Sequence, residues 1–204
     1  MKYLLPLFVL FSCTPIGNHV PPDVDKPAVK AEYKADWPKK EWTDIFVAAL
    51  KANAPELLKA NPPDLKDYCP SGDKIQAYVA IASSMARYES SFIANKEFKE
   101  SFDVDGKKCA ATGKPCVIST GIMQISFVSA NGYGCGFKTQ KELHDPKKHL
   151  ECVAKMFQRR ILKDGAVSAS GKRGLGAYWS VLQYGNQYQK IDPIKKRSRE
   201  LCAK

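Results

Sequence analysis

The chain has 204 residues, with 32 Lys and Arg against 21 Asp and Glu, a formal net charge of +11. That balance suits an anionic partner. Internal repeats and coiled-coil heptads are absent from the sequence, which excludes solenoid and fibrous architectures.

The N-terminus reads Met1-Lys2, an apolar run from Tyr3 to Phe11, then Ser12-Cys13. A basic start and a short apolar core describe an export leader, and the core is too short to span a bilayer. The pattern looks like a bacterial lipoprotein signal over residues 1–12, cleaved so that Cys13 carries a lipid; Phe11 is larger than usual at its position. Thr14 is not an inner-membrane retention residue, so an outer-membrane location facing the periplasm is expected, with a secreted soluble form as the alternative. Residues 13–40 hold Pro15, Pro21, Pro22, Pro27 and Pro38 and few large apolar groups. They read as a tether, which in polyproline II would reach about 80 Å. About 165 residues then remain for one domain, 41–204, enough for a proper core.

Trp42, Ile45, Phe46, Ala49 and Leu50 mark a first helix. From Asp73 to Phe92, Ile75, Val79, Ala82, Ala86 and Glu89 recur at steps of three and four, one face of a helix capped by Ser71 or Asp73. Ser83, Ser84 and Arg87 fall on other faces. The stripe is apolar until Glu89. A carboxyl so placed loses hydration and its pKa rises, which is what a glycosidic general acid requires. Further on, Asp145 caps and Pro146 opens a helix whose face is Leu150, Val153, Phe157 and Ile161, ending near Gly165. Leu175 to Tyr184 is a further helix candidate. Strand signals are few and short, so the domain reads as mainly α with a small β part (α+β).

Glu89-Ser90-Ser91-Phe92 is followed by Gly121-Ile122-Met123-Gln124-Ile125-Ser126, then by Leu143-His144-Asp145-Pro146, then by Gly176-Ala177-Tyr178. These four blocks, in this order, resemble the lytic transglycosylase branch of the lysozyme superfamily, the SLT-type domain akin to goose-type lysozyme. The resemblance covers residues 70–185. It implies a lysozyme-like fold, with a small β-hairpin walling the active-site cleft. It also implies cleavage of the MurNAc-β-1,4-GlcNAc bond of peptidoglycan with Glu89 as general acid and base. Ser90, Gly121, Met123, Gln124, Tyr178 and Trp179 are the implied substrate-binding positions. Gly121 would let a sugar approach the backbone, Gln124 would offer an amide to sugar hydroxyl or acetamido groups, and Tyr178 would bond near the acid. Met123 is by type more often a core side chain. The family usually has Asn-Ala-Gly after the tyrosine; Trp179-Ser180-Val181 stands here, as a sugar platform or as core.

The stretch between Glu89 and Gly121 is longer than in many relatives, and Asp105-Gly106 signals a hairpin turn within it. Asp103 and Asp105 are candidates for the second carboxylate that hydrolysis employs. Without one, the muramoyl 6-hydroxyl attacks internally and leaves an anhydro sugar. The motifs lean toward the transglycosylase, and the hairpin with two aspartates pulls toward lysozyme. A non-catalytic peptidoglycan-binding lipoprotein on the same fold is the alternative. The acids Glu97, Glu100, Asp103 and Asp105 beside the cleft would favour a deacetylated, cationic glycan.

Besides Cys13, six cysteines remain: Cys69, Cys109, Cys116, Cys135, Cys152 and Cys202. An even number in an exported chain suggests three disulfides, for which fifteen pairings are possible. Cys109–Cys116 and Cys135–Cys152 would be local staples, and Cys69–Cys202 would tie down the tail. No zinc spacing exists, His19, His144 and His149 are scattered, and Asp-x-Asp-Gly lacks the glutamate that closes a calcium loop, Thr112 standing there. No metal or cofactor is therefore expected. The expected partners are peptidoglycan strands and, through the lipid, a membrane. Lys195, Lys196, Arg197 and Arg199 read as a solvated basic face rather than a nucleic-acid site, and the protein is expected to be a monomer.

Overall fold

The computed structural model describes residues 32–203. The leader, Cys13 and most of the tether lie outside them. Helix α1 (Lys40–Asn53) is followed by the short helices α2 (Pro55–Lys59) and α3 (Leu65–Tyr68), then by α4 (Lys74–Glu89). Strand β1 (Glu97–Lys99), a turn of helix α5 (Cys109–Thr112), and strands β2 (Ile118–Thr120) and β3 (Ile125–Ser126) follow. After these come α6 (Phe127–Gly132), the long α7 (Pro146–Asp164), the two-residue strands β4 (Ser168–Ala169) and β5 (Arg173–Gly174), and α8 (Ile191–Cys202). The domain is thus mainly helical with two small antiparallel sheets. No helix among the described residues is long and apolar enough to cross a membrane.

Helix α4 is the centre. Asp73 caps it by accepting the Gln76 N–H at 2.9 Å. Every residue from Gln76 to Ala86 is buried, so the helix is enclosed on all faces rather than lying with one face on the core. Ser83 and Ser84, expected on outer faces, are inside. Small side chains make this possible: Ala77, Ala80, Ala82, Ala86 and the two serines let neighbouring elements approach closely. Helix α8 packs along α4, and α1 packs along α7. Phe46 of α1 meets Phe157 of α7 edge-to-face at 5.8 Å, and Phe157 meets Trp179 at 5.5 Å.

Helix α7 follows its sequence signals. Asp145 accepts the Lys147 and Lys148 N–H groups, Pro146 opens the helix, Leu150, Val153, Phe157 and Ile161 are fully buried, and Gly165 ends it in the left-handed conformation. The helix expected over 175–184 does not form. Two single 3-10 turns, Leu175–Ala177 and Ser180–Leu182, stand in its place. The chain doubles back so tightly there that a Cβ on Gly176 would lie 2.4 Å from the Leu182 carbonyl oxygen.

All three expected disulfides are present: Cys69–Cys202, Cys109–Cys116 and Cys135–Cys152. Cys69 and Cys202 are 133 positions apart, and closing so long a loop restricts the unfolded chain by about 4 to 5 kcal/mol on a chain-entropy argument.

Two boundaries differ from the expected ones. The domain starts at Tyr33 rather than 41, because Tyr33–Trp37 is packed onto it. Trp37 is buried, donates its indole N–H to the Thr43 hydroxyl at 2.8 Å and meets Trp42 and Phe46 edge-on. Buried Asp36 accepts from Arg87 at 2.7 Å and from Arg197 at 2.9 Å. Burial opposes its charge, but the two guanidiniums outweigh that and hold its pKa below the usual carboxylate value. The C-terminal basic cluster is correspondingly not a plain solvated face. Lys195 pairs with Asp67 at 3.0 Å, Arg197 with Asp36, and Arg199 donates to the Asp67 carbonyl oxygen at 3.2 Å.

Candidate active site

Glu89 is the last residue of α4. The chain leaves the helix through Ser91 and Phe92, both in the left-handed region (φ 54° and 66°), a conformation unusual for side-chain-bearing residues and commonest where function demands it. The glutamate is half-buried, and its Oε1 is closed off from solvent with no hydrogen-bond partner within the chain. Burial, then the charge of Glu100, push the carboxyl pKa up to about 8, against a smaller opposing effect of Lys96. The helix C-terminus acts in the same direction, since its partial negative charge disfavours a carboxylate. Glu89 is therefore an acid still protonated at pH 7, in agreement with its place at the end of an apolar stripe.

Glu100 and Asp103 both line the cavity with Glu89, whereas Asp105 does not. Glu100 directly follows β1, lines the cavity with Glu89 and accepts the Ser119 hydroxyl at 2.5 Å. Asp103 borders the same cavity, but its oxygens are committed. One accepts the Asp105 and Lys107 N–H groups at 3.0 Å each, and the other accepts the Thr112 hydroxyl at 2.7 Å. The Thr112 hydroxyl first, with those N–H groups and Lys114, holds its pKa below the usual value despite burial. Asp103 thus organises the turn at Gly106, where Phe102 bridges to Lys108. Asp105 faces solvent in an ion pair with Lys114 at 2.5 Å. Glu97 is likewise turned outward, 3.1 Å from His144.

The expected hairpin wall is a three-stranded sheet in the order β1-β2-β3, with Phe98 opposite Ser119 and Thr120 opposite Ile125. Residues 100–117 loop out between β1 and β2 and are stapled by Cys109–Cys116. Phe102, Val104 and Val117 from this excursion face the cavity.

From the segment Gly121–Ser126, Gln124 and Ser126 line the cavity, and several of its other residues do other work than expected. Gly121 (φ +80°) makes room for a protein side chain rather than a sugar. A Cβ there would lie 2.6 Å from the His149 ring and 2.7 Å from the Leu143 carbonyl oxygen. His149 is fully buried; its Nδ1–H donates to Leu143 O and its Nε2 accepts the Met123 N–H, both at 3.0 Å. Burial drives its pKa down to about 4, so the ring is neutral in this tautomer. Met123 is fully buried, and its carbonyl oxygen accepts the Trp179 indole N–H at 2.8 Å. Trp179 is consequently core, not a sugar platform. Ser90 is also fully buried, donating its hydroxyl to Ala86 O. None of Ser90, Met123 and Trp179 offers a polar side-chain group to a ligand. The Gln124 amide N–H groups donate to Gly121 O at 2.8 Å and Lys96 O at 3.2 Å, tying the segment to the wall, with Gln124 itself at φ +46°. Its carbonyl oxygen is the group left for a ligand. Tyr178 accepts the Ser126 N–H at 3.0 Å, and it lies near enough to Glu89 to feel its charge.

His149 was legible only in part. It stands four residues before Val153 on the buried stripe of α7, a core position, but its contact with Gly121 is tertiary. Gly121→Ala is expected to destabilise the domain by about 2 to 4 kcal/mol, combining left-handed strain with a clash against buried groups. Urea unfolding measures it; a change near zero would mean His149 is free to move aside.

The cavity beside Glu89 and Glu100 is about 320 Å³. It opens into a wider groove of about 840 Å³ that shares Glu89, Glu100, Phe102 and Gln124 and continues past Tyr88 and Tyr188.

Among solved structures, the wild-type form of Bd0314 DslA is 33% identical, with 80% of this chain and 92% of that chain covered and a TM-score of 0.69. The chain belongs to the DslA family. Two glutamate-to-glutamine variants of Bd0314 DslA are 31% and 32% identical, each with 85% of this chain and 100% of that chain covered and a TM-score of 0.72. The glutamates replaced in those two DslA variants stand 11 positions apart. No family model matches the chain, and no curated protein is significantly similar to it.

Proposed function

We propose that this DslA-family chain is a peptidoglycan muramidase with a lysozyme-like fold that cleaves the MurNAc-β-1,4-GlcNAc bond hydrolytically. The observation that carries the reading is a protonated carboxyl, Glu89, sharing one cavity with a second carboxylate, Glu100. The separation of Glu89 and Glu100 in the sequence, 11 positions, equals that of the two glutamates replaced in the DslA variants. In this reading Glu89 gives its proton to the glycosidic oxygen as the bond to the anomeric carbon breaks. The positive charge that develops on the sugar is stabilised by the Glu100 carboxylate, which also orients or deprotonates the incoming water. The Gln124 carbonyl oxygen, at the junction of cavity and groove, holds the sugar. A second carboxylate in the cavity favours water over the muramoyl 6-hydroxyl as the nucleophile, against the lean of the motifs alone. We place the enzyme on the outer membrane, held by a lipid on Cys13 and facing the wall as a monomer.

Mass spectrometry of fragments released from purified sacculi, both acetylated and deacetylated, tests this. Reducing muramoyl ends are the expected product. Anhydro-muramoyl ends would reassign the chemistry to transglycosylation, and no fragments from either wall would overturn the muramidase reading. Glu100 is the acid that faces the cavity while Glu97 and Asp105 are ion-paired outside it. Faster release from deacetylated walls would therefore be credited to Glu100.

A further inference from the structure

The two arms of the cleft differ in chemistry. The smaller cavity is lined by Glu100, Asp103 and valines, with no lysine. The wider groove shares Glu89 and Glu100 with it at the junction, and beyond them is lined by Lys96, Lys99 and Lys190 and by Tyr88, Phe98 and Tyr188. Resting on the muramidase reading, we infer that this wider arm binds the anionic stem peptide carried by the glycan strand.

Three observations point there. Lys99 and Lys190 are exposed, and their ammonium groups have no ion pair or hydrogen bond among the described residues. Other exposed lysines, such as Lys51, Lys66 and Lys172, are free as well, so what sets Lys99 and Lys190 apart is that they line one groove together. Around these two lysines lie large apolar surfaces held out to water, with Phe98 56% and Tyr188 61% exposed. Exposed aromatics gathered in one groove mark a binding surface more than isolated ones do. Finally, the groove is more than twice the volume of the cavity beside it, room for a branch as well as a sugar.

The chemistry selects the occupant. A neutral sugar stacks on an aromatic ring and can accept hydrogen bonds from the two ammonium groups but leaves their charge unpaired, and a deacetylated sugar beside them is repelled. A wall stem peptide carries free carboxylates and the methyl groups of its alanines, which match lysines and aromatics respectively. Lys96 is oriented differently: its ammonium donates to the Glu89 carbonyl oxygen at 3.3 Å and belongs to the catalytic end of the groove.

The test compares kcat/KM of the full-length protein on glycan strands bearing stem peptides with that on the same strands stripped of peptides by an amidase. Peptide-bearing strands are expected to be cut about tenfold better, as two exposed charge pairs allow, with the advantage shrinking as salt rises. In a Lys99→Glu/Lys190→Glu protein that ratio should fall to near one, while cleavage of stripped strands stays within about twofold of wild type. The milder Lys99→Gln/Lys190→Gln protein should lie between, which guards against misfolding of the charge-reversed form. Equal cleavage of both strands by wild type, or a ratio unchanged in the variants, would overturn the peptide assignment and leave the muramidase reading standing. Cleavage of neither strand would overturn the muramidase reading, and the peptide assignment with it.

Discussion

Replacing Glu89 with Gln is expected to abolish wall cleavage and, at the same time, to stabilise the domain above neutral pH. General acid catalysis contributes on the order of 10²-fold or more, so the loss of the proton donor is not compensated by shape. The gain in stability follows from linkage. The folded carboxyl has a pKa of about 8 against an unfolded value near 4.5. Stability from this group is therefore complete below about pH 4.5, declines as pH rises from there to about 8, and is level beyond, because the unfolded chain releases the proton first. Glutamine does not titrate and avoids that decline. At pH 7 the variant should be more stable by about 3 kcal/mol, or roughly 10 °C in Tm for a domain of this size. At pH 4 the two proteins should melt together. A Tm difference that stays constant from pH 4 to pH 9 would show that Glu89 is not held protonated by the fold.

Glu89 was legible because helical periodicity is local. An acid that extends an apolar stripe at steps of three and four can also turn to solvent at the helix end, so residues 75–89 gave its place on the stripe and the resemblance of the Gly121 block favoured the buried acid. Local periodicity served for α7 as well, where Asp145, Pro146 and Gly165 bracket the stripe. The enclosure of α4 was not legible. Ser83 and Ser84 look like surface residues although both are buried, and α8, which packs on this helix, was hidden because its charged residues suggested a solvated tail. Those charges are spent on Asp36 and Asp67, far away in sequence.

The second carboxylate was hidden for a different reason. Glu97, Glu100, Asp103 and Asp105 are alike in a sequence, and only the turn and the strand register sort them. Backbone N–H groups at the Gly106 turn claim Asp103, solvent ion pairs claim Glu97 and Asp105, and the pairing of β1 with β2 leaves Glu100 beside Ser119 in the cavity. The Gly121 block was misread in the same way. A glycine with positive φ announces that something comes close, but its partner, His149 on another helix, is supplied by the fold.

Glu100→Gln is the substitution that separates the two carboxylates. If Glu100 stabilises the sugar cation or activates water, hydrolysis should fall on the order of 10²-fold. Loss of activity alone would not establish contact between the groups, so a second readout is needed. The negative charge of Glu100 raises the pKa of Glu89, and the positive charge of Lys96 lowers it. Removing Glu100 should therefore move the midpoint of the Glu89-dependent loss of stability toward acid pH. The Lys96→Met substitution should move the same midpoint toward alkaline pH. The opposite signs matter, because general loosening of the site would admit water to Glu89 in both variants and shift both midpoints toward acid. Tm measured against pH in wild type and the two variants, with the Glu89→Gln protein as the flat baseline, gives both shifts. Shifts of opposite sign place Glu100 and Lys96 on either side of the same proton; shifts of the same sign, or none, would detach Glu100 from Glu89 and return the second carboxylate to Asp103.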